Sequence, residues 1–269
     1  MKNLEKIINL ILDIIFPIQC LGCNAEFENL KSKERWICFK CLEKIKTRRE
    51  QVCPVCEQFS DGGKTHQRCA KKTFLDGLWV ATEYKYEIVS SAIGKFKFNF
   101  IRDISFPLSR ILIKSILDVE EFGDFQDLIM TNYSQKSDED EIYVQKEKNI
   151  KAETIIIPVP LHKKRYNWRG FNQAFLLSVY IADKFDLDIC ENLLTRSKNT
   201  RPQSKIKSIE ERENNIKNAF ICLNKDLIMS KNIILIDDVC TTLATLAECA
   251  KELKKCGARN VWGLVVARR

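Results

Sequence analysis

The chain has 269 residues, with 44 Lys and Arg against 36 Asp and Glu, for a net charge of +8. Hydrophobic residues make up 45% of it, enough for a sizeable core, which excludes a disordered polyelectrolyte. The length suits one large domain or two smaller ones, and the modest basic excess permits phosphate or nucleic-acid partners without requiring them.

Residues 1–17 are apolar, but Glu5, Asn9 and Asp13 interrupt them at four-residue steps. That spacing predicts an amphipathic helix with one polar stripe, packed on the protein. The alternative is a helix that lies on a membrane surface or binds a partner. The apolar part, residues 7–16, is too short to span a bilayer and carries a charge. No small-residue cleavage pattern follows it. The expectation is a cytoplasmic protein with no transmembrane segment.

Seven of the twelve cysteines fall between Cys20 and Cys69. In a reducing compartment such a cluster points to metal rather than disulfides. The pairs are Cys20-x-x-Cys23, Cys38-x-x-Cys41, Cys53-x-x-Cys56 and His66-x-x-Cys69. Each tight pair presents two donors to one tetrahedral ion, and thiolate with imidazole suits Zn²⁺. Sequential assignment gives Cys20, Cys23, Cys38 and Cys41, then Cys53, Cys56, His66 and Cys69. Interleaved pairing and a surface role for His66 are the alternatives. Four protein ligands leave no open position, so the expected role is structural.

From residue 75 the pattern is α/β. Residues 78–86 read as a strand, 88–95 as a helix and 106–117 as an amphipathic helix. The stretch 95–102 alternates bases with aromatics. It reads as an element with one buried aromatic face, against the alternative of a stacking platform for single-stranded nucleic acid. Residues 131–151, with the acidic run 137–141, read as a surface insertion.

Two stretches carry candidate chemistry. Thr154-Ile-Ile-Ile-Pro158 reads as a buried strand. It runs into Leu161, His162, Lys163, Lys164 and Arg165, a basic turn, and then Trp168-Arg-Gly-Phe-Asn-Gln-Ala174, which opens a helix through Ala182. Bases at the carboxyl end of such a strand suit a diphosphate. Residues 233–236 read as a strand buried on both faces, followed by Asp237 and Asp238. A hydroxyl-rich turn, Thr241, Thr242, Leu243, Ala244 and Thr245, leads into a helix. Thr245 and Glu248 have capping-box spacing, and Gly257 fits the position just past the helix end. Residues 261–266 read as the next strand.

The second stretch resembles the phosphoribosyl-diphosphate (PRPP) motif of type I phosphoribosyltransferases, with Leu243 where that family has a loop glycine. A leucine forced into left-handed backbone would cost about 1–2 kcal/mol. Either the loop takes another path or phosphate binding weakens. Together with Pro158-Val-Pro-Leu-His-Lys-Lys-Arg165, Arg169-Gly-Phe-Asn-Gln173, Arg196 to Ser204 and the cysteine pairs, the chain resembles the ComF family, including GntX-type proteins. The resemblance implies an α/β type I phosphoribosyltransferase fold (75–269), mainly a parallel sheet flanked by helices, behind a small zinc-binding domain (1–74). It implies catalytic Asp237 and Asp238 accepting hydrogen bonds from ribose. Thr241, Thr242, Leu243, Ala244 and Thr245 would cradle the 5′-phosphate, and the 161–165 loop the diphosphate. Mg²⁺ would accompany PRPP, and residues 196–212 would form a cover over the site. It also implies a place in competence, with single-stranded DNA and competence proteins as partners. The alternative is a turnover-deficient, zinc-stabilised module that handles single-stranded DNA.

Overall fold

A computed structural model describes residues 17–27, 35–119, 123–131, 133, 152–201, 206 and 208–269. Most of the expected helix at 1–17, the acidic run 137–141, and Gln203 and Ser204 of the expected cover lie outside them.

Five parallel strands form the central sheet: β1 (Gly77–Glu83), β2 (Thr154–Pro158), β3 (Asp188–Ile189), β6 (Asn232–Cys240) and β7 (Asn260–Arg268), in the order β1-β7-β6-β2-β3. A separate antiparallel ribbon joins β4 (Leu194–Arg196) to β5 (Phe220–Cys222). Side chains alternate along each strand, so each strand feeds two cores. On one face Trp79, Ile156, Ile234, Ile236 and Leu264 meet α2 (Glu87–Phe98), α3 (Ser105–Leu117), α4 (Asp124–Ile129) and α6 (Gln173–Phe185). On the other, Val80, Ile155, Ile233, Leu235 and Val265 meet α8 (Ala244–Lys255) and the β4–β5 ribbon. Strands covered on both faces read as unbroken apolar runs, which is why 233–236 stands out in the sequence.

Three expectations change. The strand around 233–236 extends to Cys240, so Asp237 and Asp238 lie inside β6 rather than after it. The basic turn is a helix, α5 (Lys163–Arg169), closed by Gly170 at φ 79° before α6 begins. The stretch 95–102 has no single aromatic face: α2 continues to Phe98, burying Phe96 and leaving Phe98 59% exposed. Residues two apart on a helix point in nearly opposite directions.

The cysteine-rich head packs on this sheet. Cys20, Ile37, Cys41 and Ile45 share one buried cluster with Trp79 and Phe96. Residues 46–51 cover the free edge of β1. Arg48 N donates to Ala81 O (2.8 Å), and the Gln51 amide both donates to Val80 O (3.1 Å) and accepts from Val80 N (3.0 Å). An uncovered edge strand would be a template for aggregation. Arg268, ending β7, reaches Pro54 O (3.1 Å) and Glu57 (2.6 Å) in the head. Among the described residues no helix is long and apolar enough to cross a membrane.

Candidate functional site

The site forms because β2 ends before β6 does. Their pairing runs to Pro158 and Ile236, with one further bond from Val159 N to Ile236 O (2.9 Å). Asp237 and Asp238 follow on the edge that β2 has left. Being adjacent in a strand, they point to opposite faces. Asp238 is 3% exposed and takes an ion pair from Lys97, near the end of α2, at 2.7 Å. Asp237 lies on the face of α8 and the ribbon, and its carboxylate accepts a hydrogen bond from Asp238 N (2.8 Å). Burial, and then repulsion from Asp238, raises the Asp237 carboxyl to about 7.

Three arginines converge on the same end of the sheet. Arg165 and Arg169 are one turn apart on α5 and face inward, while Lys163 and Lys164 between Arg165 and the cap are exposed. Arg165 donates to Thr200 O (2.8 Å), and Arg169 donates to Gln173. Arg196, at the end of β4, is 7% exposed, lies over the Phe220 ring at 5.4 Å and donates to Thr200 Oγ1. Burial depresses all three. For Arg169 the two carboxylates oppose that shift, and for Arg196 burial, then the neighbouring Arg165, brings the guanidinium down to about 10. The buried Nε atoms of Arg169 and Arg196 have no partner. Lys97 and Arg169 therefore act on both carboxylates and Arg196 on Asp237, with Arg165 beside Arg196. Half-buried and buried guanidinia whose buried Nε donors are unmatched, those of Arg169 and Arg196, call for an anion.

The loop after β6 takes the other path open to it. Leu243 sits at φ −62°, ψ −10°, ordinary right-handed backbone, so no strain arises there. It occupies the N-cap of α8 with no side-chain cap, and Ala244 and Thr245 lie in the first helical turn. The expected Thr245–Glu248 capping box does not form; Glu248 instead accepts from Asn218 N (2.7 Å) and Lys251 Nζ (3.0 Å). Thr241 and Thr242 are partly buried in the turn. The head of α8 thus offers free N–H groups and hydroxyls beside the arginines. His162 is the N-cap of α5, its Nδ1 accepting from Lys164 N at 3.2 Å, and Leu161 is partly buried before it.

The head holds two compact donor clusters, Cys20, Cys23, Cys38 and Cys41, and Cys53, Cys56, His66 and Cys69, with the donor atoms of each within 4.8 Å of one another. This is the sequential grouping. Cys23 and Cys38 sulfurs are 3.7 Å apart, and Cys56 Sγ lies 3.3 Å from His66 Nδ1. Two thiolates on one tetrahedral zinc stand about 3.8 Å apart. Backbone N–H groups also point at the sulfurs, Cys38 N to Cys20 at 3.3 Å and His66 N to Cys53 at 3.4 Å. Burial opposes ionisation of Cys20, but these N–H donors overcome it and lower the thiol to about 6. The Gln58 N–H and then His66 bring Cys56 to about 6. Burial, and then the neighbouring thiols of Cys23 and Cys38, push Cys41 up to about 12. Thiols this close cannot all ionise without a cation among them, and a zinc ion fits the donor set.

Residues 11–70 match the double zinc ribbon domain. Along the chain, identity to Competence protein F of Haemophilus influenzae is 29%, covering 94% of this chain and 98% of that protein. Similarity to the ComF-type competence proteins spans nearly the whole chain. Competence protein ComFC of Bacillus subtilis is 25% identical over 93% of this chain and 96% of its own, and DNA utilization protein YhgH of Escherichia coli K12 is 25% identical over 85% and 96%. The sequence motifs pointed to Asp237, Asp238, the Thr loop and Arg165, and the structure places these at the carboxyl ends of β6 and β2 and in the segments that follow them. Lys97 and Arg169 were not among the expected site residues; the structure sets them beside the two carboxylates, and it sets Arg196, which opens the expected cover, beside Arg165. Arg169 stood inside a quoted motif; its four-residue spacing from Arg165 was the signal that could have found it.

Proposed function

We propose that this protein binds PRPP or a closely related phosphorylated ribose and acts in DNA uptake; the names of its relatives give competence and DNA utilization. The observation that carries the ligand is the pair of carboxylates on β6 beside Arg169 and Arg196, whose buried Nε donors are unmatched. Asp237 and Asp238 would accept hydrogen bonds from ribose hydroxyls. Thr241, Thr242 and Thr245, with the backbone of Leu243 and Ala244, would take the 5′-phosphate. The loop from Leu161 to Arg165, extended by Arg169 and Arg196, would hold the diphosphate. Mg²⁺ would enter with the ligand, held largely by phosphate oxygens and water. The matching chemistry is displacement of diphosphate from ribose C1. The carboxylates would stabilise positive charge developing on the sugar, and the guanidinia the departing anion. Calorimetry with PRPP, with and without Mg²⁺, tests the reading. Asp237→Asn and Asp238→Asn should each weaken binding at least tenfold with circular dichroism unchanged. Equal affinity in both variants would remove the site.

A second reading, single-stranded DNA handling without turnover, has its own observation. Trp168, Tyr166 and Phe98 are 60%, 46% and 59% exposed, on or beside α5, whose Lys163 and Lys164 are also exposed. Aromatics with interspersed bases stack and neutralise a flexible strand. Salt-dependent binding of a labelled oligonucleotide is expected, and no binding at low salt would sink this reading.

A further inference from the structure

Asp238, one of the two carboxylates read as ribose acceptors, is already engaged. Its Oδ1 holds the Lys97 ammonium at 2.7 Å. The carboxylate side chain is 4% exposed and the lysine side chain 25%, so the pair is open on the lysine side. An ammonium has three donors, and among the described residues Asp238 is the acceptor that Lys97 meets. A buried carboxylate must keep a partner, so the lysine leaves it only when another donor arrives.

The backbone on either side of Lys97 is anchored. Lys97 lies in the last turn of α2. Just before it, Phe96 is fully buried; its ring packs on Phe171, centroids 5.6 Å apart, and its carbonyl accepts from Gln173 Nε2 at 3.4 Å. Beyond the helix end, the Phe100 and Trp168 rings meet edge to face, centroids 4.7 Å apart. Trp168, Phe171 and Gln173 flank Arg169, which itself donates to Gln173. The end of α2 is therefore tied to the segment that carries Arg169, and both cations are held at the carboxylates. They differ in kind. The guanidinium is a rigid fork, whereas the ammonium is a compact charge on a flexible stem that swings while its Cα stays in place.

We propose that Lys97 selects a ribose that bears an anion on C1: its ammonium passes from Asp238 to the ligand's diphosphate as ribose hydroxyls take its place on the carboxylate. In PRPP the diphosphate on C1 is next to the hydroxyl on C2. A carboxylate that accepts from that hydroxyl therefore brings the diphosphate beside the cation already paired with it. The exchange leaves no charge alone, because Asp238 gains hydroxyl donors and the ammonium gains a phosphate, with charge-assisted bonds on both sides. Ribose 5-phosphate offers the hydroxyls without the second anion. It competes with Lys97 for Asp238 and gives the ammonium nothing in return. Inorganic pyrophosphate offers only the anion, which reaches the remaining donors of the ammonium. The sugar half of this inference rests on the phosphoribosyl reading; the anion half needs only the cations.

The test is calorimetry on the zinc-loaded full chain with PRPP, ribose 5-phosphate and inorganic pyrophosphate. Lys97→Met should weaken PRPP and pyrophosphate by about tenfold or more, while ribose 5-phosphate binds at least as tightly as to the wild type. Lys97→Gln still donates to Asp238 but carries no charge, so it repeats the comparison without an unpaired carboxylate should Lys97→Met fail to fold. Lys97→Arg keeps a cation at Asp238 and should retain most of the PRPP affinity. Equal losses for all three ligands would overturn the proposal, because Lys97 would then only maintain the structure. So would pyrophosphate binding that is the same with and without the lysine charge. A wild type that binds pyrophosphate through Lys97 but neither sugar would remove the phosphoribosyl reading and the selection of a ribose with it, leaving a plain anion contact.

Discussion

Asp237 and Asp238 are neighbours in sequence with different environments, because a strand sends them to opposite faces. Asp238 is neutralised by Lys97; Asp237 is not, and burial with Asp238 alongside raises it to about 7. The folded state therefore keeps a proton that the unfolded chain loses above the ordinary aspartate range. The stability tied to that proton is present in full below about pH 4 and declines as pH rises towards 7. Asp237→Asn should flatten that part of the profile and stabilise the protein at pH 8 by on the order of 1 kcal/mol, the worth of about one pKa unit. Urea unfolding at pH 5 and pH 8 measures it. Lys97 makes the opposite case. Lys97→Met would leave a buried, unpaired carboxylate and should destabilise by about 2–3 kcal/mol, below the range for fully buried pairs because Lys97 is partly exposed. Adding Asp238→Asn should recover most of that loss; failure to recover would mean that the stem of Lys97, rather than its charge, supplies the stability.

At the scale of elements, Leu243 shows what a motif hides. In the sequence it departs from a glycine-bearing loop, yet right-handed backbone at the cap of α8 accommodates a leucine. Leu243→Gly should lose about 1–2 kcal/mol of stability, from added backbone freedom and lost packing, with no gain in PRPP affinity. A tenfold tighter complex in that variant would show that the bound loop needs left-handed backbone. Legibility follows the same logic. β2, β6 and β7 were readable because burial on both faces makes unbroken apolar runs. β3, β4 and β5, of two or three residues, carry no periodic signal. α5 was hidden because none of its residues is fully buried, so no apolar stripe marks it; Arg165 and Arg169 are its two half-buried bases. Lys97 could not be placed at the site from local pattern, and Arg196 only as the start of the expected cover. Tertiary folding brings them from distant helix and ribbon to the end of β6.

For the whole molecule, the question is whether the head is an appendage or part of the fold. Cys20 and Cys41, both members of the first cluster, sit in the same core as Trp79 and Phe96, and residues 46–51 close the exposed edge of β1. The second cluster is tied to the last strand through Arg268 and the Pro54 carbonyl. A small segment with few apolar residues draws its folding energy from metal, so loss of zinc should unfold the head and uncover β1. Elemental analysis should find close to two zinc ions per chain, and His66→Ala should lower occupancy of the second cluster. Stripping both ions with a strong chelator should then lower the melting temperature of the α/β part by about 10 °C, equivalent to roughly 3 kcal/mol. Buried Trp79 and Trp262 report that transition by fluorescence, because both lie in the sheet core rather than in the head. The order of events matters as much as the size. Amide exchange of β1 should accelerate on chelation before that of β6, which is flanked by strands on both sides. An unchanged tryptophan transition after complete metal removal would mean that the sheet is stable alone and that the contacts along β1 add little to it.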